Sequence, residues 1–245
     1  MPPATFPRRS VPSNASRPPL VTIARGRRRS FARRLLAWYA ANGRDLPWRK
    51  TRDPYAILVS EILSHQTQIS RVVPVYEATL ARYPTAEAMA SAPVDAVKEI
   101  TDPLGYKIRG RWLHGAALQV ADRFGGVMPQ TLPELQQLAG VGRYTAGAVM
   151  NFAYQRDAPV LDTNIARVLR RYFGVSAAAR ARTSELWSLA DAIIPKGKGY
   201  LINQALMDLG AMVCRAKAPR CNACALRRSC DVRRKARQGS RQPLP

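Results

Sequence analysis

The chain has 245 residues, and 39 Lys plus Arg against 16 Asp plus Glu leave a net charge of +23. With 47% hydrophobic and 22% charged residues it has the composition of a folded chain, which excludes collagen-like, disordered and disulfide-scaffold classes. No apolar run approaches the ~20 residues needed to cross a bilayer, so no membrane partner is expected. The excess charge points to a polyanion, with nucleic acid ahead of anionic lipid.

Met1 to Arg44 holds ten Arg and no acid, and Pro, Ser and Ala fill much of the rest up to Arg29. Residues 1–30 read as a disordered basic arm: a solvated tail first, then a DNA-tracking arm or an organelle transit peptide. Without an apolar secretory segment, a cytoplasmic, nucleoid-associated protein is expected. From Phe31 the pattern becomes helical, with Leu35, Trp38 and Tyr39 at three- and four-residue steps and Asn42-Gly43 closing the segment. Asp53 offers an N-cap and Pro54 a first helical position for a second helix, whose apolar stripe is Tyr55, Leu58, Val59 and Ile62. Further helices are predicted over Val72 to Arg82, Val94 to Ile100, Arg109 to Phe124, Leu132 to Leu138, Tyr144 to Tyr154, Asn164 to Phe173, Ser184 to Ile194 and Leu201 to Val213. No alternating β runs joined by a hairpin turn occur, so the fold class is all-α. After Cys230 the text reverts to Arg, Lys, Gln and Pro, and 231–245 reads as a second basic tail.

Three features carry chemistry. Cys214, Cys221, Cys224 and Cys230 lie on one 17-residue segment with gaps of six, two and five residues. Four thiolates so close suit one metal centre; the wider outer gaps favour an iron-sulfur cluster over zinc, and disulfides are the weakest alternative. Arg215, Lys217 and Arg220 make a cationic loop between the first two. Leu138-Ala139-Gly140-Val141-Gly142-Arg143-Tyr144-Thr145 joins two helical segments through a Gly-x-Gly turn. Such a turn either caps a helix or lets backbone N–H groups at the next helix start meet a phosphate. The net charge favours the phosphate.

Glu61 sits within the apolar run Ile57 to Leu63, where desolvation would raise its pKa and let it act as a general acid. The same pattern fits a Glu at the helix border that reaches water or pairs with an Arg. Asp162, just before the helix containing Ile165, Val168, Leu169 and Tyr172, is an N-cap that could also face a developing cation. Two acids at separate helix positions are what splitting a glycosidic bond needs, and the pattern permits this.

The hairpin, the Val160-Leu161-Asp162-Thr163-Asn164 segment, Ser60-Glu61 with Gln66-Thr67-Gln68, and the cysteine spacing together resemble the helix-hairpin-helix DNA glycosylases from about Phe31 to Cys230. Leu46-Pro47-Trp48-Arg49, Thr145-Ala146-Gly147-Ala148 and Gln204 to Ala211 look most like the adenine glycosylases of MutY type. The resemblance implies a two-lobed fold in which residues 31–52 join 161–230 as the cluster lobe and 53–160 form a helical lobe with the hairpin. It implies one [4Fe-4S] cluster on the four cysteines, double-stranded DNA with a mismatched or damaged base as partner, and a monomer.

By the same resemblance Glu61 protonates the flipped base, Asp162 stabilises the sugar cation, and Tyr144 and Asn164 assist. Gln66 and Tyr106 enter the base stack, while Gly140, Val141, Gly142 and Thr145 hold the backbone. Tyr144 stands where bifunctional relatives carry a nucleophilic Lys, so monofunctional hydrolysis is expected. Adenine opposite guanine or 8-oxoguanine is the expected target. Ser64, His65, Pro103, Lys107, Ala139 and Thr163 depart from the pattern, and no part of the chain resembles the second domain that helps MutY-type enzymes recognise 8-oxoguanine. A thymine or uracil mismatch enzyme is therefore the alternative, and a non-catalytic cluster-bearing DNA-binding protein is a third reading that the joint presence of Glu61 and Asp162 opposes.

Overall fold

A computed structural model of the chain describes residues 23–175 and 181–237, within which every regular element is helical. None of these helices is long and apolar enough to span a membrane. Twelve α-helices are described: α1 (Arg25–Asn42), α2 (Pro54–Ser64), α3 (Ile69–Arg82), α4 (Ala86–Ala90), α5 (Val94–Thr101), α6 (Ile108–Phe124), α7 (Leu132–Leu135), α8 (Arg143–Phe152), α9 (Thr163–Phe173), α10 (Ala181–Ala192), α11 (Gly199–Met212) and α12 (Asp231–Arg237). Helices α2 to α8 pack chiefly on one another, and α1 with α9 to α12 forms a second group, closed by α1 lying on α11. The chain thus leaves the second group after α1 and returns to it at α9.

Helix α2 is the axis of the first group. Asp53 accepts a hydrogen bond from the Tyr55 N–H at 2.9 Å, Pro54 occupies the first position, and every residue from Tyr55 to Leu63 is buried. It is therefore buried all round rather than on one stripe, packed by α3, α6 and α8. Helix α9 is capped at both ends: the Asp162 carboxylate accepts from the Ile165 N–H at 2.6 Å, and Gly174 closes the helix in a left-handed conformation.

The sequence reading lacks α4, and α3 and α10 each begin three residues before the predicted Val72 and Ser184; three further differences have a visible cause. Helix α1 begins at Arg25, inside the expected arm, because Arg27 is held: it donates to the Tyr172 carbonyl at 2.8 Å, pairs with Asp231 at 3.0 Å and lies over the Phe173 ring. Helix α12 occupies the start of the expected tail, since Asp231 takes both Arg27 and Arg234 and the helix packs on α9. Helix α7 stops at Leu135, three residues short, as the chain tightens into i→i−3 bonds from Gln137 to Glu134 and Leu138 to Leu135 on its way into the glycine turn. The rest of the basic arm, 1–22, and of the tail, 238–245, lies outside the described residues.

Candidate active site

A cleft of about 690 Å³ opens where α2, α6, α8 and the start of α9 converge. Six of the sequence-predicted residues, Glu61, Tyr144, Asp162, Asn164, Gln66 and Tyr106, line it together. Glu61 is 5% exposed, and burial pushes its carboxyl up to about 7. A hydrogen bond from the Tyr144 hydroxyl and the charge of Arg49 pull the other way, and Asp162 adds a smaller upward push. Burial and the neighbouring carboxylates keep the Tyr144 phenol protonated. The cleft therefore joins one carboxyl titrating near neutrality to a second, Asp162, that is hydrogen-bonded in place.

Asp162 belongs to a chain of contacts leading away from the cleft. Asn164 Nδ2 donates to Asp162 Oδ2 at 2.8 Å, and Arg167 donates to Asn164 Oδ1 at 2.6 Å, to the Gly210 carbonyl at 2.8 Å and to the Cys214 carbonyl at 2.7 Å. The carboxylate is fixed by backbone on one side and by this relay on the other. Gly210 has no side chain because one would meet Asn164 at 2.7 Å.

At the mouth of the cleft, Gln66 is exposed on the turn after α2 with φ +52°, and Tyr106 is 39% exposed just before α6. The buried Arg109 guanidinium donates to the His65 carbonyl and to Thr67 and faces the Tyr106 ring, tying the two loops together. Trp112 stands edge-on to both His65 and Tyr106. Its indole also supports the hairpin, where Gly140 has φ +74° and a Cβ would come within 2.6 Å of the ring.

The two hairpin glycines are thus glycines for different reasons. Gly140 needs the left-handed conformation and the missing side chain, whereas Gly142 caps α8 with nothing within 4 Å of where a Cβ would sit and no side-chain cap. Val141 and Thr145 are buried, so contact with a ligand from this turn runs through backbone N–H groups. Gly140→Ala is expected to cost about 2 kcal/mol or more through left-handed strain and the Trp112 contact. Gly142→Ala should change stability by less than about 1 kcal/mol, and urea unfolding of the two variants separates these roles.

The four cysteines are all free thiols lining one cavity of about 80 Å³, closed by Arg171, Val213 and Val232. Burial raises the Cys224 thiol to about 11 and Cys230 in the same direction. Among the described residues no three His, Cys, Asp or Glu side chains converge on a single-ion position. A donor set of four soft sulfurs spread round a shared space fits an iron-sulfur cluster.

A family model described as "HhH-GPD superfamily base excision DNA repair protein" matches residues 59–191, more than half of the chain. The chain belongs to the HhH-GPD superfamily. Its similarity to an adenine DNA glycosylase of Mycolicibacterium smegmatis is 42% identity over 193 residues, covering 78% of this chain and 66% of that protein. An adenine DNA glycosylase of Rattus norvegicus is 38% identical over 227 residues, 88% of this chain and 44% of the other, so the chain spans less than half of that relative's length. A thymine-DNA glycosylase of Aeropyrum pernix is 40% identical over 217 residues, 86% of this chain and 97% of its own. The solved structure of a thermostable thymine-DNA glycosylase superposes with a TM-score of 0.81 at 33% identity, covering 86% of this chain and 98% of that one. A non-covalent endonuclease III–DNA complex, at TM-score 0.76 and 22% identity over 89% of this chain and all of that one, shares the fold.

Within this HhH-GPD chain the departures Ser64, His65 and Thr163 all line the cleft, and His65 is held towards its neutral form by burial and by Arg109. Sequence reasoning missed Trp112, Arg109 and Arg167. Trp112 carries a signal, a large aromatic four residues after Ile108 on a helix that follows directly on Tyr106. Arg109 and Arg167 carry none, being single members of a set of 39 basic residues.

Proposed function

We propose that the chain is a monofunctional DNA N-glycosylase of base excision repair. The observation that carries this reading is Glu61, a buried carboxyl raised to about 7 that opens on a cleft shared with Asp162. In its protonated form, which the raised pKa keeps populated near neutral pH, Glu61 gives its proton to the departing base as the bond from the base nitrogen to the sugar breaks. Asp162, fixed by the Ile165 N–H and Asn164, steadies the cationic sugar until water adds to it and returns a proton to a carboxylate. Tyr144 holds Glu61 and, having no amine, forms no Schiff base with the sugar, so strand cleavage does not accompany base loss.

Gln66 and Tyr106 fill the space left as the target base is extruded, a step costing a few kcal/mol. The turn from Gly140 to Gly142 holds a phosphate with backbone N–H groups. The relatives named adenine DNA glycosylase favour adenine opposite guanine or 8-oxoguanine as the substrate. The A. pernix relative, matched over nearly its whole length, and the departures at Ser64, His65 and Thr163 favour thymine or uracil opposite guanine as the second reading.

Single-turnover base release from A:G, A:8-oxoguanine, T:G and U:G duplexes, each with and without hot alkali, tests this. Breaks only after alkali, in the adenine duplexes, are expected. Release from T:G or U:G alone would establish the second reading, and tight binding without release would leave a non-catalytic DNA-binding protein. The four cysteines would hold one [4Fe-4S] cluster, whose part is to fix the segment Cys214 to Cys230 and its cationic loop against α9. Protein purified anaerobically should be brown, with iron and sulfide near four each per chain; stoichiometric zinc instead would overturn the assignment.

A further inference from the structure

We propose that α1 carries a second nucleic-acid surface, separate from the cleft, in which Arg25, Arg29 and Arg33 hold the phosphate backbone of duplex DNA. The three residues are exposed and four apart, so they form one row along the helix, with steps of about 6 Å. Among the described residues none of them has a hydrogen-bond or ion-pair partner, whereas the other three arginines of α1 are used internally. Arg27 is tied to Tyr172 and Asp231, Arg28 reaches the Ala192 carbonyl, and Arg34 donates to Ser30.

Among the described residues no acid pairs with the row. The first turn of α1 has no acid and no side-chain cap, so the positive end of the helix dipole adds to the arginines. The nearby acid, Asp231, is already shared by Arg27 and Arg234. Like charges at four-residue spacing repel one another and weaken a helix, and a bound polyanion removes that repulsion. Gly26 leaves the backbone bare beside Arg29, Ser30 and Arg33, and together these four line an open notch.

The geometry selects the partner. The opposite face of α1, through Phe31, Ala32 and Leu35, is buried against the core, so the helix has no free apolar side to insert into lipid. A polyanion without a hydrophobic phase fits better. The contact of Arg27 with the Tyr172 carbonyl puts the first turn of α1 at the C-terminal end of α9, while Asp162 caps the other end, 11 residues or about 16 Å away. None of the three arginines lines the cleft, so the row is separate from the place where a base would sit. Its effect is sequence-independent retention on flanking or neighbouring duplex. Only the biological use of that retention rests on the reading that the cleft acts on DNA.

The full chain carrying Arg25→Gln, Arg29→Gln and Arg33→Gln together keeps helix-forming side chains and removes three charges. Binding to an undamaged duplex, followed from low to moderate salt, should weaken. The slope of log affinity against log salt should become shallower by about 2 to 3, since each phosphate that is no longer neutralised takes away about 0.9. Single-turnover base release at saturating enzyme should match the wild type. An unchanged slope would overturn the proposal and leave the row a solvated face. Loss of binding to vesicles rich in anionic lipid, with duplex binding intact, would overturn it in favour of a membrane surface. A wild type whose duplex binding depends on the row but which releases no base would sustain this inference and sink the glycosylase reading.

Discussion

Glu61→Gln should slow base release by about 10² or more and at the same time make the protein more stable in mild alkali. The carboxyl is raised from 4.5 to about 7 by burial, so the folded chain keeps a proton that the unfolded chain has lost between those pH values. Folded-state stability therefore falls as pH rises through that window. The full shift is worth about 3 kcal/mol at about pH 8. Gln keeps the volume and can still bond Tyr144 but carries no charge, so the variant should gain most of that amount at about pH 8 and nothing below 4.5. Losing the general acid should slow base release by roughly 10² to 10⁴, and wild-type release should decline above about pH 7 as Glu61 ionises. Two measurements check this: single-turnover release, and urea midpoints on either side of the window. Undiminished release would place the acid elsewhere, and a stability gain independent of pH would mean that the carboxyl is not desolvated.

A buried carboxyl whose ionised form weakens the fold is a mark of function rather than of packing. Glu61 was legible from the sequence for this reason: a lone carboxylate in Ile57 to Leu63 breaks a local pattern. Asp162 was legible for the opposite reason, since it obeys one, the N-cap rule, and the structure adds that its second oxygen is taken by Asn164. The hairpin and the cysteines were visible because their spacing is the signal.

What could not be read was contact between distant segments. Arg167 meets Cys214 across 47 residues and does not stand out in a chain with 39 basic residues, while Arg49 and Asp208 lie in two segments that carry the resemblance but show no sign of meeting across 159 residues. The ends of the fold were hidden by composition. The first six residues of α1 and the exposed face of α12 are Arg-rich, so both stretches resembled tails, although Arg27 and Asp231 join them. Trp112 falls between these cases. Its position on α6 was predicted, but only the folded chain shows one indole supporting the hairpin turn and flanking His65 and Tyr106.

The largest stability loss should come from Asp208, far from the chemistry in sequence. Its side chain on α11 is fully buried and accepts from the Arg44 N–H at 2.9 Å, Arg44 Nε at 2.7 Å and the two Arg49 Nη atoms at 2.8 and 2.9 Å. Burial opposes its charge, but the Arg49 hydrogen bonds and the Arg44 N–H outweigh that and hold the carboxyl below its ordinary value. Removing it leaves Arg49, whose side chain is 7% exposed, as a buried cation without a counter-charge. Asp208→Ala should therefore cost about 3 to 5 kcal/mol at neutral pH, a large share of a typical domain's stability. Because the folded pKa lies below the unfolded one, the gap between wild type and variant should be full above the ordinary carboxylate range and close as pH falls through the lowered value. Arg49 also lowers the Glu61 carboxyl through its charge, so an Arg49 released from Asp208 should shift the pH profile of base release as well as the urea midpoint. A loss below about 1 kcal/mol would show that solvent, not Asp208, balances the two arginines.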